Sequence, residues 1–242
     1  MHILVLSDIH SNIAALDAVL ETAGAADAVW HLGDVVGYGA EPDEVVARLI
    51  DVGAVGVKGN HDDACCGGDS IDSFTPDAYA AAAWTRLNMG ATALGYLAAL
   101  PEVLIPEGTD FTLAHGSPRD PFWEYVDETW IAAENLDAFD TKYCIVGHTH
   151  FPVAYRRRRG HTECVEVEPE STLTLGKDRV ILNPGSVGQP RDGDPTASYM
   201  LIDTEAGVVT WRRVAYDIES AQRAIRAAGL PPVLATRLGT GR

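Results

Sequence analysis

Lysine is almost absent from this chain: only Lys58, Lys142 and Lys177 occur, and every other basic residue is arginine. Eighteen basic residues stand against 35 acidic ones, a formal net charge of -17. Such a balance lacks the phosphate-neutralising surface that general nucleic-acid binding needs. It suits a protein that stays soluble in high salt, where dissolved ions screen its self-repulsion. The one run of positive charge, Arg156 to Arg159, reads as a solvated hairpin amid so many carboxylates. Cysteine is also scarce. Cys65, Cys66, Cys144 and Cys164 match neither a disulfide framework nor a C-x-x-C zinc site, and a reducing cytoplasm is the expected location. No apolar run is long enough to span a bilayer. The opening MHILVLSDIH carries no basic region or cleavage site of a signal peptide. Internal repeats and long Gly/Ser linkers are missing too. The 242 residues, 46% of them hydrophobic, are therefore expected to form one domain, 1–242. Composition does not address the oligomeric state.

What is present is an alternation of strand and helix signals. HILVLS (2–7), AVWHLG (28–33) and AVGV (54–57) are strand-like, and 13–24 and 41–53 have helical apolar spacing. Gly24 ends the first helix, and Pro42 with acidic residues opens the second. This order implies βαβ units with right-handed crossovers. Residues 76–100 are alanine-rich and predict two helices broken near Gly90. FTLAHG (111–116) and YCIVGHTH (143–150) return to strand-then-loop. Between them, 117–140 mixes aromatic and acidic residues, as a lid or as a peripheral helix and loop. From 151 onward strands and turns dominate, up to a helix at 217–228 and a tail, 230–242, expected to fray. A mixed sheet followed by a more antiparallel one would pack as a sandwich with helices outside.

Five segments share one design, a strand that ends in metal-type ligands: SDIHSN (7–12), HLGDVVGYG (31–39), KGNHDD (58–63), LAHGSP (113–118) and VGHTHFP (147–153). In an open α/β sheet the carboxyl ends of strands form the ligand crevice. Placed there, the five would gather Asp8, His10, Asp34, Asn60, His61, His115, His148 and His150. Five of the eight histidines belong to that set, too many for coincidence. Imidazole, carboxylate and amide oxygen without thiolate suit borderline ions: manganese first, then iron, zinc, cobalt or nickel. Seven ligands exceed the needs of one ion with open positions, so two divalent ions are expected, and a carboxylate such as Asp34 can bridge them.

The ordered series D-x-H, GD, GNH, H and GHxH resembles the calcineurin-like metallophosphoesterase superfamily. The match covers roughly 1–190. Its details, DIHSN, GDVVGYG, GNHD, GHTH and NPGS (183–186), look most like the compact bacterial and archaeal phosphodiesterase branch. The resemblance implies a four-layer αββα sandwich of two mixed sheets flanked by helices, with the metal site at strand C-terminal ends. It implies one metal on Asp8, His10, Asp34 and His150, and a second on Asp34, Asn60, His115 and His148. His61 would be a catalytic histidine outside the coordination shell, with Asp62 orienting it and favouring its protonated form. Asp63 has no assigned task.

Two divalent ions bring four positive charges, of which Asp8, Asp34 and a bridging hydroxide offset three. The remainder is an anion trap inside an acidic protein, suited to a small phosphate ester. Ions ~3.5–4 Å apart would activate that hydroxide for in-line attack on a phosphodiester or phosphomonoester. His61 would then protonate the leaving group. Some superfamily members serve as non-catalytic scaffolds after losing the catalytic histidine or a ligand, and none is lost here. A nuclease would use the same chemistry but needs a basic track, which only Arg156 to Arg159 offers.

One departure bears on substrate. The protein-phosphatase and diadenosine-tetraphosphatase branch carries an arginine in a GDxxDRG pattern, whereas this chain has GDVVGYG. Arg119 and Arg191 are the candidates to replace that phosphate grip, with surface ion pairing the alternative for each. Asn12 and Asn183 are candidate supports behind the ligands, or ordinary turn residues. Trp123 and Tyr125 either stack on a substrate base or simply pack. His2 and His31 fall within strand patterns as core or edge residues.

Overall fold

The computed structural model describes residues 1–242. Chain order runs β1 (His2–Leu6), α1 (Ile13–Ala23), β2 (Ala28–His31), α2 (Pro42–Asp51), β3 (Val55–Gly56), α3 (Asn60–Cys65), α4 (Pro76–Asn88) and α5 (Ala91–Ala99). It continues β4 (Val103–Leu104), β5 (Phe111–Ala114), α6 (Thr129–Asn135), β6 (Tyr143–Ile145), β7 (Pro152–Arg158), β8 (His161–Val165) and β9 (Thr172–Thr174). The last elements are β10 (Arg179–Pro184), β11 (Ala197–Asp203), β12 (Val208–Val214), α7 (Ile218–Ala227) and α8 (Pro232–Leu238). The helix signals resolve locally. Asn12 caps α1 by accepting from Ala15 N, Pro42 opens α2, and Thr75 with Pro76 starts α4.

Two six-stranded mixed sheets result, ordered β3-β2-β1-β11-β12-β9 and β4-β5-β6-β10-β7-β8. Each carries a parallel trio, β1/β2/β3 in one and β5/β6/β10 in the other, with antiparallel pairs around it. The two halves of the sequence are therefore not two sheets. The late strands β11 and β12 extend the first sheet, while β5 and β6 found the second, so the expected contrast between a mixed and a more antiparallel sheet does not hold. Pairing joins segments almost two hundred residues apart, as in Leu4 opposite Leu201, and local patterns carry no record of that.

The alternation along each strand builds the layers. On β1, Ile3 and Val5 face the second sheet beside Trp30, Leu113, Ile145 and Leu182. Leu4 and Leu6 face the helices, against Leu16 and Val19 of α1 and Val46 and Leu49 of α2. Behind the second sheet, Cys144, Val146 and Ile181 pack on Ala132 of α6 and on Leu136, which caps it. Helix, sheet, sheet, helix is the four-layer order expected. The 117–140 segment supplies that outer helix, α6.

Arg156 and Arg157 lie on β7 and pair with Glu163 and Asp137, as a solvated hairpin should. His2 is exposed, whereas His31 is fully buried with its Nε2 2.8 Å from the Tyr96 hydroxyl. No helix is long and apolar enough to cross a membrane. The tail does not fray. Residues 232–238 form α8, which buries Leu234, Ala235 and Leu238 against Ala221 and Ile225 of α7 and Ala81 of α4. The apolar spacing in PPVLATRL is too short to show without its partner helices. Leu234→Ala should cost about 2–5 kcal/mol, measured by urea unfolding; an unchanged midpoint would show that the tail contributes nothing to stability.

Candidate metal centre

All five parallel strands that carry the motifs deliver them to one end of the sandwich. Asp8 and His10 follow β1, Asp34 follows β2, and Asn60 follows β3; His115 follows β5, and His148 and His150 follow β6. The first two loops continue the β1–β2 ladder, with Asp8 N donating to Gly33 O at 3.2 Å and His10 N to Asp34 O at 3.0 Å. The turns are abrupt. Asp8, His10, Asp34, His148 and His150 all sit at positive φ, between 49° and 64°. That left-handed conformation costs a residue with a Cβ roughly 1–2 kcal/mol, and such strain persists where surrounding structure over-determines it. The motif glycines answer to the same crowding. A Cβ on Gly33 would strike the Gly59 backbone, and one on Gly59 would strike the Asp34 carboxylate.

The ligand atoms fall into two groups, Asp8/His10/His150 and Asp34/His115/His148, each with its atoms within 4.8 Å of one another. His150 Nε2 lies 3.3 Å from Asp8 Oδ1 and 3.3 Å from His10 Nε2. His115 Nε2 lies 3.0 Å from Asn60 Oδ1 and 3.1 Å from His148 Nδ1. Asp34 Oδ2 stands between the groups, 3.3 Å from His115 Nε2 and 3.7 Å from His10 Nε2. All seven residues are buried.

The outer nitrogens are held from behind. His10 Nδ1 donates to Val36 O (3.2 Å), His115 Nδ1 to Leu32 O (2.8 Å) and His150 Nδ1 to Gln189 O (2.6 Å). This fixes the tautomer and turns each Nε2 lone pair inward, the usual support of a metal-binding histidine. Asp8 Oδ1, Asp34 Oδ2 and His148 Nε2 are buried with no hydrogen-bond partner. Unpaired carboxylate oxygens at this depth are costly unless a cation meets them, so the donor set fits two divalent ions.

The protonation states carry the same message. Burial, with Asp34 nearby, raises Asp8 to about 7. Burial pulls His115 down, but the Asp34 carboxylate beside it outweighs this and lifts it to about 9. Burial also pushes Asp34 up, yet His115 and His61 hold it well below the usual carboxylate range. Without metal, a proton on His115 compensates Asp34.

His61 lies in the same cleft, its ring 4.3 Å from Tyr38 and 4.4 Å from Phe74, with Nδ1 buried and unpaired. Its setting corrects the role expected of Asp62. After the strand signal, GNHDD begins the short helix α3, Asn60–Cys65. Asp62 does not touch the His61 ring. Its oxygens accept from Val36 N (3.1 Å) and Gly59 N (3.0 Å), tying the β2 loop to the start of α3. It thus positions His61 through the backbone and does not favour its protonated form, and burial pulls His61 down to about 4. Asp63 accepts from Ser70 N in the turn after α3.

The remaining candidates separate. Arg119 is bound to Glu124 and Glu134 away from the cleft, so it is the surface ion pair and not a phosphate grip. Arg191 lines the cleft with Asp34, His61, His148 and His150. Its Nη2 bonds Gln189 Oε1 (3.1 Å) and reaches the Tyr38 hydroxyl (3.5 Å), with no carboxylate partner. Asn12, besides capping α1, donates to Gly188 O at 3.0 Å. Asn183 donates to Gly147 O (2.8 Å) and Thr149 Oγ1 (3.0 Å), bracing the loop that carries His148 and His150. Tyr38 and Phe74 line the cleft too. Sequence reasoning passes over them, although Tyr38 sits inside GDVVGYG.

The calcineurin-like phosphoesterase superfamily domain matches residues 1–207. A metallophosphoesterase from Sphaerobacter thermophilus has a similar structure, with a TM-score of 0.91 and 45% identity, covering 100% of this chain and 99% of that one. An uncharacterized protein of Methanocaldococcus jannaschii is 36% identical over 99% of this chain and 98% of its own length. The phosphodiesterase YfcE of Escherichia coli is 28% identical over 85% of this chain and 89% of its own.

Metal uptake should depend on pH with a definite sign. Asp8 near 7 and His115 near 9 must both lose their protons to act as ligands. Calorimetric titration with Mn²⁺ should show affinity rising from pH 6 to pH 9 and protons released on binding, detected as a dependence of the enthalpy on buffer ionisation. A pH-independent affinity would contradict the assignment.

Proposed function

Because this chain belongs to the calcineurin-like phosphoesterase superfamily, we propose that it uses two divalent ions to hydrolyse a small phosphodiester, with phosphomonoesters as the second substrate class. It is a metal-dependent hydrolase of phosphoester bonds. The observation that carries the binuclear reading is Asp34 Oδ2, buried, unpaired and flanked by His115 of one ligand group and His10 of the other. Asp8, His10 and His150 would hold one ion, and Asn60, His115 and His148 the other, with Asp34 shared. Bound there, such ions supply an activated water and a positive bed for phosphoryl oxygens.

The chain's own residues do the rest. Arg191 is the cationic side chain on the cleft wall and takes the place of the arginine missing from GDVVGYG, gripping a phosphoryl oxygen. Tyr38 and Gln189 hold its guanidinium in position. His61 hands a proton to the leaving oxygen. Burial keeps it neutral in the free protein; a phosphate anion entering the cleft raises its basicity by Coulomb attraction, so that it takes up a proton from solvent before passing it on. Asp62 and Asn183 position this machinery through the loops they tie. The whole of 1–242 acts as one catalytic unit in this reading, since Ala221, Ile225 and Leu238 of α7 and α8 pack beside His10 and Tyr38. The relative named a phosphodiesterase supports the diester preference.

Hydrolysis of bis-p-nitrophenyl phosphate with Mn²⁺ tests the proposal. His61→Ala should lower kcat by about 10²–10³-fold, Asp34→Asn should remove activity with metal binding, and Arg191→Met should cost about 10–100-fold in kcat/KM. No turnover of any mono- or diester by fully metal-loaded wild type would overturn it.

A further inference from the structure

The cleft is polarised along its length. Arg191 and Tyr38 stand at the end that carries His10 and His150, with Tyr38 4.7 Å from the His10 ring. The other end, over His148, is aromatic: Tyr125 lies 4.0 Å from the His148 ring, and Trp123 meets it edge-on at 6.3 Å. Phe74 closes the corner, 5.9 Å from Trp123.

Trp123 and Tyr125 belong to none of the four apolar cores, and Tyr125 is 42% exposed. They are nevertheless firmly placed. The chain alternates here, Glu124 turning inward to Ser117 and Asn135 and Val126 into the outer layer, which aims Trp123 and Tyr125 at the cleft. Trp123 N is further held by Asp120 Oδ1 at 3.1 Å. A partly exposed pair of rings on a pinned backbone is pre-organised for stacking, since little freedom is left to lose on binding.

The cleft beside the ligand groups is a half-open space of about 100 Å³, and Trp123 and Tyr125 form part of its wall. A planar ring on an ester held at the ligand groups would lie against them.

We propose that Trp123 and Tyr125 form a stacking platform that selects phosphodiesters bearing a planar ring, aryl or nucleobase, on the ester group retained on phosphorus, which lies over His148 while the leaving group faces His61. This rests on the phosphoesterase reading above and adds the substrate class to it.

Esters with one leaving group test it on Mn²⁺-loaded protein: p-nitrophenyl phenyl phosphate, p-nitrophenyl cyclohexyl phosphate and thymidine 5′-(p-nitrophenyl phosphate). Wild type should favour a ring ester over the cyclohexyl ester by about ten-fold in kcat/KM, expressed in KM, the scale of a single stacking contact. The thymidine arm tells a nucleobase from a simple aryl group, and a lead by either ring sustains the proposal. Tyr125→Ala and Trp123→Ala should bring the ratio within about two-fold, and Tyr125→Phe should retain it. Phenylphosphonate should likewise compete better than cyclohexylphosphonate in wild type and lose that advantage in the alanine variants. An equal rate for the cyclohexyl ester, or a preference that survives both alanine substitutions, overturns the platform. Absence of p-nitrophenol release from all three esters would instead overturn the phosphoesterase reading.

Discussion

Two carboxylate oxygens, Asp8 Oδ1 and Asp34 Oδ2, are buried without a partner, and much of the structure answers to them. Removing ionised groups from water costs several kcal/mol each when nothing compensates. The fold compensates in part with a proton on His115, raised to about 9 by Asp34. It also leaves Asp8 near neutrality, at about 7. These are stopgaps. Divalent cations would relieve the deficit and displace both protons, which couples metal affinity to pH in a single direction.

Holding those oxygens together takes strained backbone. Five candidate ligands adopt the left-handed region, because each must leave a strand end and turn at once toward a common centre. Parallel strands make this possible by ending on one side of the sandwich. The loops are then over-determined by hydrogen bonds between them: Asp8 to Gly33, His10 to Asp34, and Gly188 N to Asp8 O. Asp62 and Asn183 do the same work from α3 and β10. Replacing either acts on the site without touching a ligand.

Electrostatics shapes the cleft as well as the metal centre. In a chain with 35 acidic residues, most arginines near a carboxylate are captured by it, as Arg119, Arg156 and Arg157 are. Arg191 forms no ion pair; its hydrogen bonds go to Gln189, which also accepts from Arg237, and to Tyr38. In the proposed reaction that leaves its charge available to a phosphoryl group.

The gathering of the candidate ligands was legible in the chain because metal-binding character belongs to the residue type. Asp, His and Asn placed just past strand patterns announce a centre before any contact is known, and the strands announce themselves by apolar alternation. The roles of neighbours were not legible. Asp62 follows His61 directly, yet its carboxylate turns to Gly59 and Val36, as the N3 residue of a short helix that starts at Asn60. Arg119 and Arg191 looked alike in sequence; Glu124 and Glu134 claim one, and the cleft receives the other. The tail offered too few apolar residues to read as a docked helix until α7 and α4 supplied their partners. Chemistry of ligation is local and survives in the sequence alone. Which charge is free, which carboxylate positions which loop and which ring faces the cleft depend on segments far apart in the chain, and only their packing decided them.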